Sequence, residues 1–241
     1  MRRALLLTVL ALLASPAAAE AASVKLIDCV PALEPVERTA TFEARARAAG
    51  GSDRVQVRFT LQVREEGLAG WRKVVAAGFD SWLTSDAGVR RYSYARTIEN
   101  LTAPAAYRTV VRFRWLDEEG EVLDRSRATS PACRQPDLRP DLEARRVDIA
   151  PGPTEDLRRY AITVANRGRS IAGPSSIALR AGEQDLEPLA VPALAAGEQR
   201  VVTFVGPACV LGTSLLVTVD SAGAVDERDE DDNVLAAHCQ S

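Results

Sequence analysis

The chain has 241 residues, of which 30 are basic and 33 acidic, which gives a net charge of −3. A mildly acidic chain lacks the excess of basic residues expected of a protein that binds nucleic acid or an anionic membrane, so the composition does not favour either class of partner. Every Lys or Arg position except Lys25 and Lys73 is an arginine. Together with abundant alanine, this bias is typical of a GC-rich bacterial genome and by itself predicts no binding function.

Residues 1–22 have the features of a secretory signal peptide. Arg2 and Arg3 precede an apolar stretch (4–14), and small residues around 19–22 offer A-x-A cleavage sites. The apolar stretch is shorter than the ~20 residues that a transmembrane helix needs, and no later stretch is long and apolar enough. We therefore expect a secreted protein, extracellular or in the cell envelope, with no transmembrane segment in the mature chain.

Two segments of the first half alternate apolar and polar residues with a period of two, which predicts half-buried β-strands. The first is VQVRFTLQVR (55–64), and the second is RTVVRFRW (108–115), followed by a hairpin turn at EEG (118–120). The second strand is predicted to have apolar residues inward and arginines outward: Val111, Phe113 and Trp115 inward, Arg108, Arg112 and Arg114 outward. Weaker strand patterns occur in three further segments: residues 41–48, 71–76 and 89–96.

The segment LTAPAAY (101–107), just before the second of these strands, resembles the tyrosine corner of fibronectin type III and immunoglobulin-like sandwiches. In that motif the hydroxyl of the tyrosine bonds back to upstream backbone. An ordinary proline turn before a strand is the alternative. Many short strands separated by turns predict an all-β sandwich in either case.

A proline-rich stretch, SPACRQPDLRPDL (130–142), suits a stiff, extended linker. After it the strand pattern restarts, with apolar residues of RRYAITVAN (158–166) and of SLLVTVD (214–220) on one face. We expect two tandem immunoglobulin-like antiparallel β-sandwiches after the signal peptide, the first over residues 23–135 and the second over 136–241.

Five short motifs of the second half stand in order: PDL (136–138), VANRG (164–168), LAAGE (194–198), VTVD (217–220) and DERDEDDN (226–233). Their order and spacing resemble the CARDB family, the cell adhesion related domain found in bacteria. The resemblance implies an immunoglobulin-like sandwich that serves as an accessory module of exported proteins, and it supplies no catalytic residues. Where the family often has asparagine, this chain has Asp231 and Asp232, and Asn233 alone matches.

The four cysteines, Cys29, Cys133, Cys209 and Cys239, make an even number in a chain predicted to be exported, which favours disulfides over thiol chemistry. No two of them have the C-x-x-C spacing of a zinc site. Of the three possible pairings, we favour Cys29 with Cys133 and Cys209 with Cys239, because each bond then lies within one predicted domain.

The run VDERDEDDNV (225–234) contains six carboxylates and one arginine. Within the CARDB resemblance it connects the last two strands, and Asp and Asn side chains organise such turns by bonding to nearby backbone N–H groups. A solvated turn without a cofactor is therefore the preferred interpretation. Calcium is the alternative, because it prefers clustered oxygen ligands, although the run lacks the register of an EF-hand loop. The candidate calcium ligands are Asp226, Asp229, Asp231 and Asp232.

The sequence gives no indication of an enzyme. His238 is the only histidine and precedes a cysteine predicted to be bridged, so no Cys-His nucleophile forms. The motifs of serine hydrolases, zinc proteases and phosphate-binding loops are absent. A hydrolase with an unrecognised pair of catalytic carboxylates remains an alternative, because only the distance between the two carboxyl groups in the folded protein can test it.

Trp71 and Trp82 flank the segment RKVVAAGFDS (72–81) near predicted loops. Exposed tryptophan rings stack on sugars and anchor protein interfaces, so both residues are candidate binding residues. A core position is preferred, because large aromatic side chains are mostly buried. The segment LTSDAGVRR (83–91) and the acidic run are candidate recognition loops.

The function predicted from the sequence is non-catalytic binding, adhesion or scaffolding at the bacterial envelope or exterior. The expected partner is an exported or cell-surface protein or a glycan, and no nucleic acid. The alternative binding mode is strand addition to another exported protein through an open sheet edge, which an edge without proline or charge would favour.

Overall fold

The computed structural model describes residues 22–239. Its regular structure is β-strand except for one short 3-10 helix, Pro35–Glu37. The predicted signal peptide, residues 1–22, lies outside the described residues apart from Ala22. Within the described range, no helix has the length and apolar character that crossing a membrane requires.

The first half of the chain folds into two facing antiparallel sheets, which we call the N-terminal sandwich. Its strands are β1 (Ala22–Val30), β2 (Thr39–Arg47), β3 (Arg54–Glu65), β4 (Arg72–Lys73), β5 (Leu83–Thr84), β6 (Arg91–Ile98), β7 (Ala105–Leu116), β8 (Val122–Thr129) and β9 (Cys133–Gln135). One sheet has the order β1-β2-β6. The other has the order β4-β3-β7-β8, with β5 also paired to β3 and β9 to β7.

The core of the N-terminal sandwich follows the period-two pattern of β3 and β7. The odd-numbered residues of β3 from Val55 to Val63 are buried, and each lies opposite an inward residue of β7. Val111, Phe113 and Trp115 are buried as predicted, and the indole Nε1 of Trp115 donates to the backbone oxygen of Arg47 at 2.7 Å. Burial of each such large side chain stabilises the fold by about 1.5–3 kcal/mol.

Tyr107 makes the hydrogen bonds that the tyrosine-corner resemblance predicts. Its hydroxyl accepts from the backbone N–H of Thr102 at 3.0 Å and lies 2.6 Å from the Thr102 hydroxyl. The ring itself is buried in the core. The side chain therefore fixes the chain just before β7, the central strand of its sheet.

The second half forms another pair of antiparallel sheets, the C-terminal sandwich. Its strands are β10 (Leu142–Pro151), β11 (Leu157–Asn166), β12 (Ser175–Ala181), β13 (Gln184–Asp185), β14 (Leu189–Val191), β15 (Gln199–Pro207), β16 (Ser214–Val219) and β17 (Val234–His238). One sheet has the order β10-β11-β15. The other has the order β13-β12-β16-β17, with β14 also paired to β12. The fold class predicted from the sequence is thereby confirmed.

Asn166 organises the predicted turn after β11. Its side-chain oxygen accepts from the N–H groups of Asp141 and Gly168, at 3.2 and 2.9 Å. Its amide nitrogen donates to the backbone oxygens of Ser170 and Leu194, at 2.8 and 3.0 Å. A Cβ at position 168 would lie 2.4 Å from the Cα of Pro140, so only glycine fits this close approach. The VANRG motif thus ties the turn to the start of the sandwich.

Both favoured disulfides are present, Cys29–Cys133 and Cys209–Cys239. The first links residues 104 positions apart and the second residues 30 positions apart. Each bond lies within one sandwich and restricts its unfolded chain, which stabilises the fold by about 2–4 kcal/mol.

The weaker strand predictions needed corrections. Of the segment 71–76, only Arg72–Lys73 is a strand, because the chain then turns away at Gly78, whose φ is +77°. The predicted recognition loop 83–91 begins with a short strand, Leu83–Thr84, that pairs with β3. The strand expected over 89–96 runs over Arg91–Ile98.

Candidate functional site

Trp71 and Trp82 lie half-buried on the outer face of the β4-β3-β7-β8 sheet, outside the core that the sequence favoured for them. Arg72 pairs with the inward-facing Val63, and Leu83 pairs with the inward-facing Val57. Because successive residues of a strand point to opposite faces, the residue before each pair points outward. Two short strands thus place two tryptophans on the same side of β3.

Each tryptophan ring contacts two guanidinium groups. Trp71 has the guanidinium carbons of Arg108 and Arg64 at 4.1 and 4.9 Å from its ring centroid. Trp82 has those of Arg114 and Arg58 at 4.0 and 4.9 Å. Cations over indole rings at such distances are attracted by the ring quadrupole. Both rings therefore hold arginines in place.

These four arginines belong to a larger set, which we call the arginine face. Arg54, at the start of β3, forms a salt bridge with its neighbour Asp53 and is left out. The members are eight other outward-facing arginines of β3, β7, β8 and β9: Arg58, Arg64, Arg108, Arg112, Arg114, Arg125, Arg127 and Arg134. Among residues 22–239, none of them forms a salt bridge with a carboxylate. A protein with a net charge of −3 thus concentrates unpaired positive charge on one surface.

The register of the strands aligns like charges directly opposite one another. Arg112 lies between Arg58 on β3 and Arg127 on β8, and Arg114 pairs with Arg125. Neighbouring strands are about 4.8 Å apart, so each pair repels. Like charges directly opposite on a sheet are destabilising. The arrangement therefore weakens the isolated sandwich.

Two arginines of the face, Arg108 and Arg58, are in unfavourable environments. The pKa of Arg108 is lowered by partial burial and by the nearby charges of Arg64 and Arg127, and a guanidinium group stays protonated in proteins. The Nε atom of Arg58 is buried without a hydrogen-bond partner. The face thus has both repelling charges and a donor that nothing in the described chain satisfies.

A shallow depression of about 460 Å³ lies on the arginine face. Trp82 lines it together with five arginines, Arg58, Arg112, Arg114, Arg125 and Arg127. A second, larger cleft of about 1120 Å³ lies where the two sandwiches meet, and it is lined by Arg64 and Arg134 of the arginine face. The two concave regions thus adjoin the same set of charges.

The larger cleft also contains carboxylates, the groups that a hydrolase would need. Glu65 forms a salt bridge with Arg72. Asp137 binds the guanidinium of Arg139 at 2.9 Å, and hydrogen bonds from Arg139 lower the Asp137 pKa despite partial burial. A general acid needs a raised pKa, so the lowered pKa of Asp137 does not suit an acid catalyst.

The acidic loop, residues 225–234, lies between β16 and β17 as predicted. Two of its candidate calcium ligands already have partners. Asp226 forms a salt bridge with Arg139 at 2.7 Å, and the Asp229 carboxylate accepts the backbone N–H of Asp231 at 3.0 Å. The pKa of Asp232 is raised, first by partial burial and then by Asp141 and Asp229. Within residues 22–239, no three His, Cys, Asp or Glu side chains are grouped so that they could hold a metal.

The same loop contains a buried carboxyl group that no pattern in the sequence distinguishes from its neighbours. Glu227 is 1% exposed, and it accepts the backbone N–H of Leu142 and, at 3.3 Å, the side-chain amide of Asn233. Burial raises the pKa of Glu227 to about 7, although those two hydrogen bonds lower it. Next to it, Arg228 forms a salt bridge with the buried Asp141. The loop is thereby fastened to the first residues of the C-terminal sandwich.

His238 lies exposed at the end of β17, next to the bridged Cys239. Its neighbour therefore provides no thiolate.

Two tandem antiparallel sandwiches, each with one disulfide, place the described chain in the class of immunoglobulin-like all-β proteins. More specifically, residues 135–237 match the CARDB family model, so the C-terminal sandwich is CARDB-like, as the sequence motifs predicted. A CARDB match fits a non-catalytic role at a cell surface or in adhesion. No curated protein matches the sequence.

Several solved structures match parts of the chain. One is a CARDB domain from Pyrococcus furiosus in complex with di-metal ions, and another is a domain of a putative cell surface protein from Methanosarcina acetivorans. Each is 22% identical and covers 42% of this chain, with 86% and 90% of their own chains matched and TM-scores of 0.36 and 0.37. A match to red sea bream transglutaminase covers 90% of this chain and 30% of that one, at 11% identity and a TM-score of 0.31. Likenesses at this level transfer no ligand or partner.

Proposed function

We propose that this chain is an exported, non-catalytic binding or adhesion protein of the bacterial envelope or exterior, and that the arginine face is its binding surface. In this proposal residues 23–135 form the binding domain and residues 136–241 the CARDB-like scaffold. Two disulfides support an oxidising compartment. The signal-peptide features of residues 1–22 support export.

The observation that carries the proposal is the absence of salt bridges on the arginine face among the described residues. A protein that needed these arginines only for solubility would intersperse them with carboxylates, because mixed charges avoid repulsion across strands. Surfaces that keep a destabilising arrangement are typical of functional sites. The exposed, shallow form of the face suits binding better than catalysis, which needs a cleft that excludes water.

Co-sedimentation of the purified mature protein with bacterial envelope fragments measures binding and tests this proposal. The face variant, Arg112→Gln with Arg127→Gln, should lose most of the bound fraction. The control variant, Arg180→Gln with Arg200→Gln, removes the same charge from exposed positions of the C-terminal sandwich and should bind like the wild type. Equal retention of both variants would overturn the arginine face as the binding surface.

Export has its own test. Expression of the full chain in a bacterium, followed by fractionation, should give a product outside the cytoplasm that is cleaved near residues 19–22. A cytoplasmic product that keeps residues 1–22 would contradict export.

Strand addition is a second candidate binding mode, because β15 is an edge strand. Its residues 201–206 contain neither proline nor charge, and unprotected edges of this kind are able to pair with another chain. Val201 and Val205 on this strand are 58% and 50% exposed. In the envelope assay, loss of binding by Thr203→Lys with full binding by the face variant would support strand addition in place of the arginine face.

A further inference from the structure

The arginine face has the chemistry of a site for a particular class of ligand. We propose that it binds a linear acidic polysaccharide, one that carries carboxylate or sulfate groups at regular intervals. This inference rests on the proposed function, because it names the partner of the same surface. It goes further in assigning the ligand an extended form and a repeating negative charge.

The geometry of the face is extended in two directions. Arg58 and Arg64 lie six residues apart on β3, which corresponds to about 20 Å at the usual rise along a strand. Across the strands, Arg58, Arg112 and Arg127 form one row and Arg114 and Arg125 another. A small anion would neutralise one or two of these charges. A polymer lying along the sheet would neutralise several at once.

Guanidinium groups match the oxyanions of such a polymer. The planar fork of arginine donates two parallel hydrogen bonds to a carboxylate, sulfate or phosphate group. Among the described residues no carboxylate pairs with the arginines of the face, although Arg108 donates to the side-chain oxygen of Gln62 at 2.9 Å. The two tryptophans hold Arg64, Arg108, Arg58 and Arg114 in place through ring contacts. The donors are therefore ordered before the ligand arrives, which lowers the entropic cost of binding.

The same surface is poorly suited to a protein partner, a membrane or a single-stranded nucleic acid. Val110 lies at the centre of the face, opposite Thr60 and Thr129, and is 3% exposed. The centre therefore offers no aliphatic anchor for a protein partner or for insertion into a membrane. Single-stranded nucleic acids bind through bases stacked on free aromatic rings. Each tryptophan here already has guanidinium groups over its ring, so such stacking has to compete with them.

Titration calorimetry of the mature protein tests the inference with defined probes. The probes are polygalacturonate as the carboxylate polymer, heparin as the sulfate polymer, dextran as the neutral polymer and single-stranded DNA as the competing polyanion. We expect at least one acidic polysaccharide to bind more tightly than DNA. Its affinity should increase with chain length and decrease steeply with salt, because counterions are released from the polymer. Dextran should not bind.

Variants assign the binding to the arginine face. Arg112→Gln with Arg127→Gln should weaken the binding of the acidic polysaccharide on the order of tenfold or more, because several charge-assisted hydrogen bonds are lost. Arg180→Gln with Arg200→Gln should bind like the wild type. Thermal unfolding of each variant shows that it is folded. Binding that survives in the face variant, binding of dextran, or tighter binding of DNA would each overturn the inference.

The outcome separates this inference from the proposed function. Envelope binding that depends on the arginine face, without binding of either acidic polysaccharide, would keep the proposed function and overturn the polysaccharide. Face-dependent polysaccharide binding without envelope binding would keep the ligand class and overturn the proposed location.

Discussion

The arginine face and the acidic loop are both dense in charge, but the surrounding structure treats them in opposite ways. In the acidic loop, Asp226 pairs with Arg139, Arg228 pairs with Asp141, and Glu227 is buried against backbone. On the arginine face, among the described residues, eight arginines have no carboxylate partner. Charge density in a sequence therefore does not by itself identify a binding site. What distinguishes the two regions is whether the fold already satisfies the charges.

The largest expected effect is on the stability of the C-terminal sandwich when the acidic loop loses its arginine. Arg228→Gln leaves Asp141 without its partner, and the Asp141 side chain is 1% exposed. Removing one member of a fully buried pair costs about 3–5 kcal/mol. We expect about 2–3 kcal/mol here, because Arg228 keeps contact with solvent. Urea unfolding measures the loss.

The matched control for that variant is Arg146→Gln, whose partner Asp148 is exposed. An exposed pair contributes about 0–1 kcal/mol, so the control should unfold like the wild type. Equal effects of the two variants would mean that the loop is not fastened as the structure shows.

The second effect is a dependence of stability on pH through Glu227. Its pKa is raised from 4.5 to about 7 by burial, so the folded protein binds this proton more tightly than the unfolded chain does. The resulting stabilisation is complete below about pH 4.5 and is lost as pH rises toward about 7. The difference in unfolding free energy between wild type and Glu227→Gln should change by about 1–3 kcal/mol over that range.

Measuring this difference curve by urea unfolding cancels the contributions of the other carboxylates. Glu183→Gln, at an exposed turn of the same sandwich, is the control for replacing a surface glutamate, since Glu230 itself contributes to the raised Glu227 pKa. A flat curve for Glu227→Gln would show that the Glu227 pKa is not raised by the fold.

The third expected effect is an increase in stability when one arginine of the face is removed. Arg112→Gln should raise the free energy of unfolding by about 0.5 kcal/mol at low salt, because it removes repulsion from Arg58 and Arg127. The increase should diminish at high salt, since ions screen exposed charges. Thermal unfolding at two salt concentrations measures it, with Arg180→Gln as the control. A destabilised variant would mean that the arginines have partners that the face does not show.

The smallest expected effect is that of calcium. Because the acidic loop is already held by internal contacts, we expect the same thermal midpoint with calcium and with chelator under non-reducing conditions. A midpoint that calcium raises, and that Asp229→Asn with Asp231→Asn abolishes, would make the loop a metal site. Asp226, Asp229, Asp231 and Asp232 stay the candidate ligands for that outcome.

The sequence predicted the two sandwiches, both disulfides and the inward faces of β3 and β7, because a period of two and the cysteine positions are local signals. It also predicted that Arg108, Arg112 and Arg114 point outward. It did not predict the arginine face, because Arg58 and Arg127 join Arg112 only through the register of three strands. A net charge for the whole chain conceals such a cluster.

Two other features depend on long-range contacts in the same way. Trp71 and Trp82 point outward because two-residue strands pair with β3. Strands of that length are too short to show an alternating pattern in the sequence. The Glu227 carboxylate accepts the backbone N–H of Leu142, which is 85 positions away. In the sequence it is one carboxylate among six.

The most direct test compares the two charged regions in one assay, the co-sedimentation of mature protein with envelope fragments. The face variant is Arg112→Gln with Arg127→Gln, and the loop variant is Asp229→Asn with Asp231→Asn, which neutralises two exposed carboxylates. We predict that the face variant loses most of its binding and that the loop variant binds like the wild type. Loss of binding by the loop variant with full binding by the face variant would show that the acidic loop, and not the arginine face, is the binding surface.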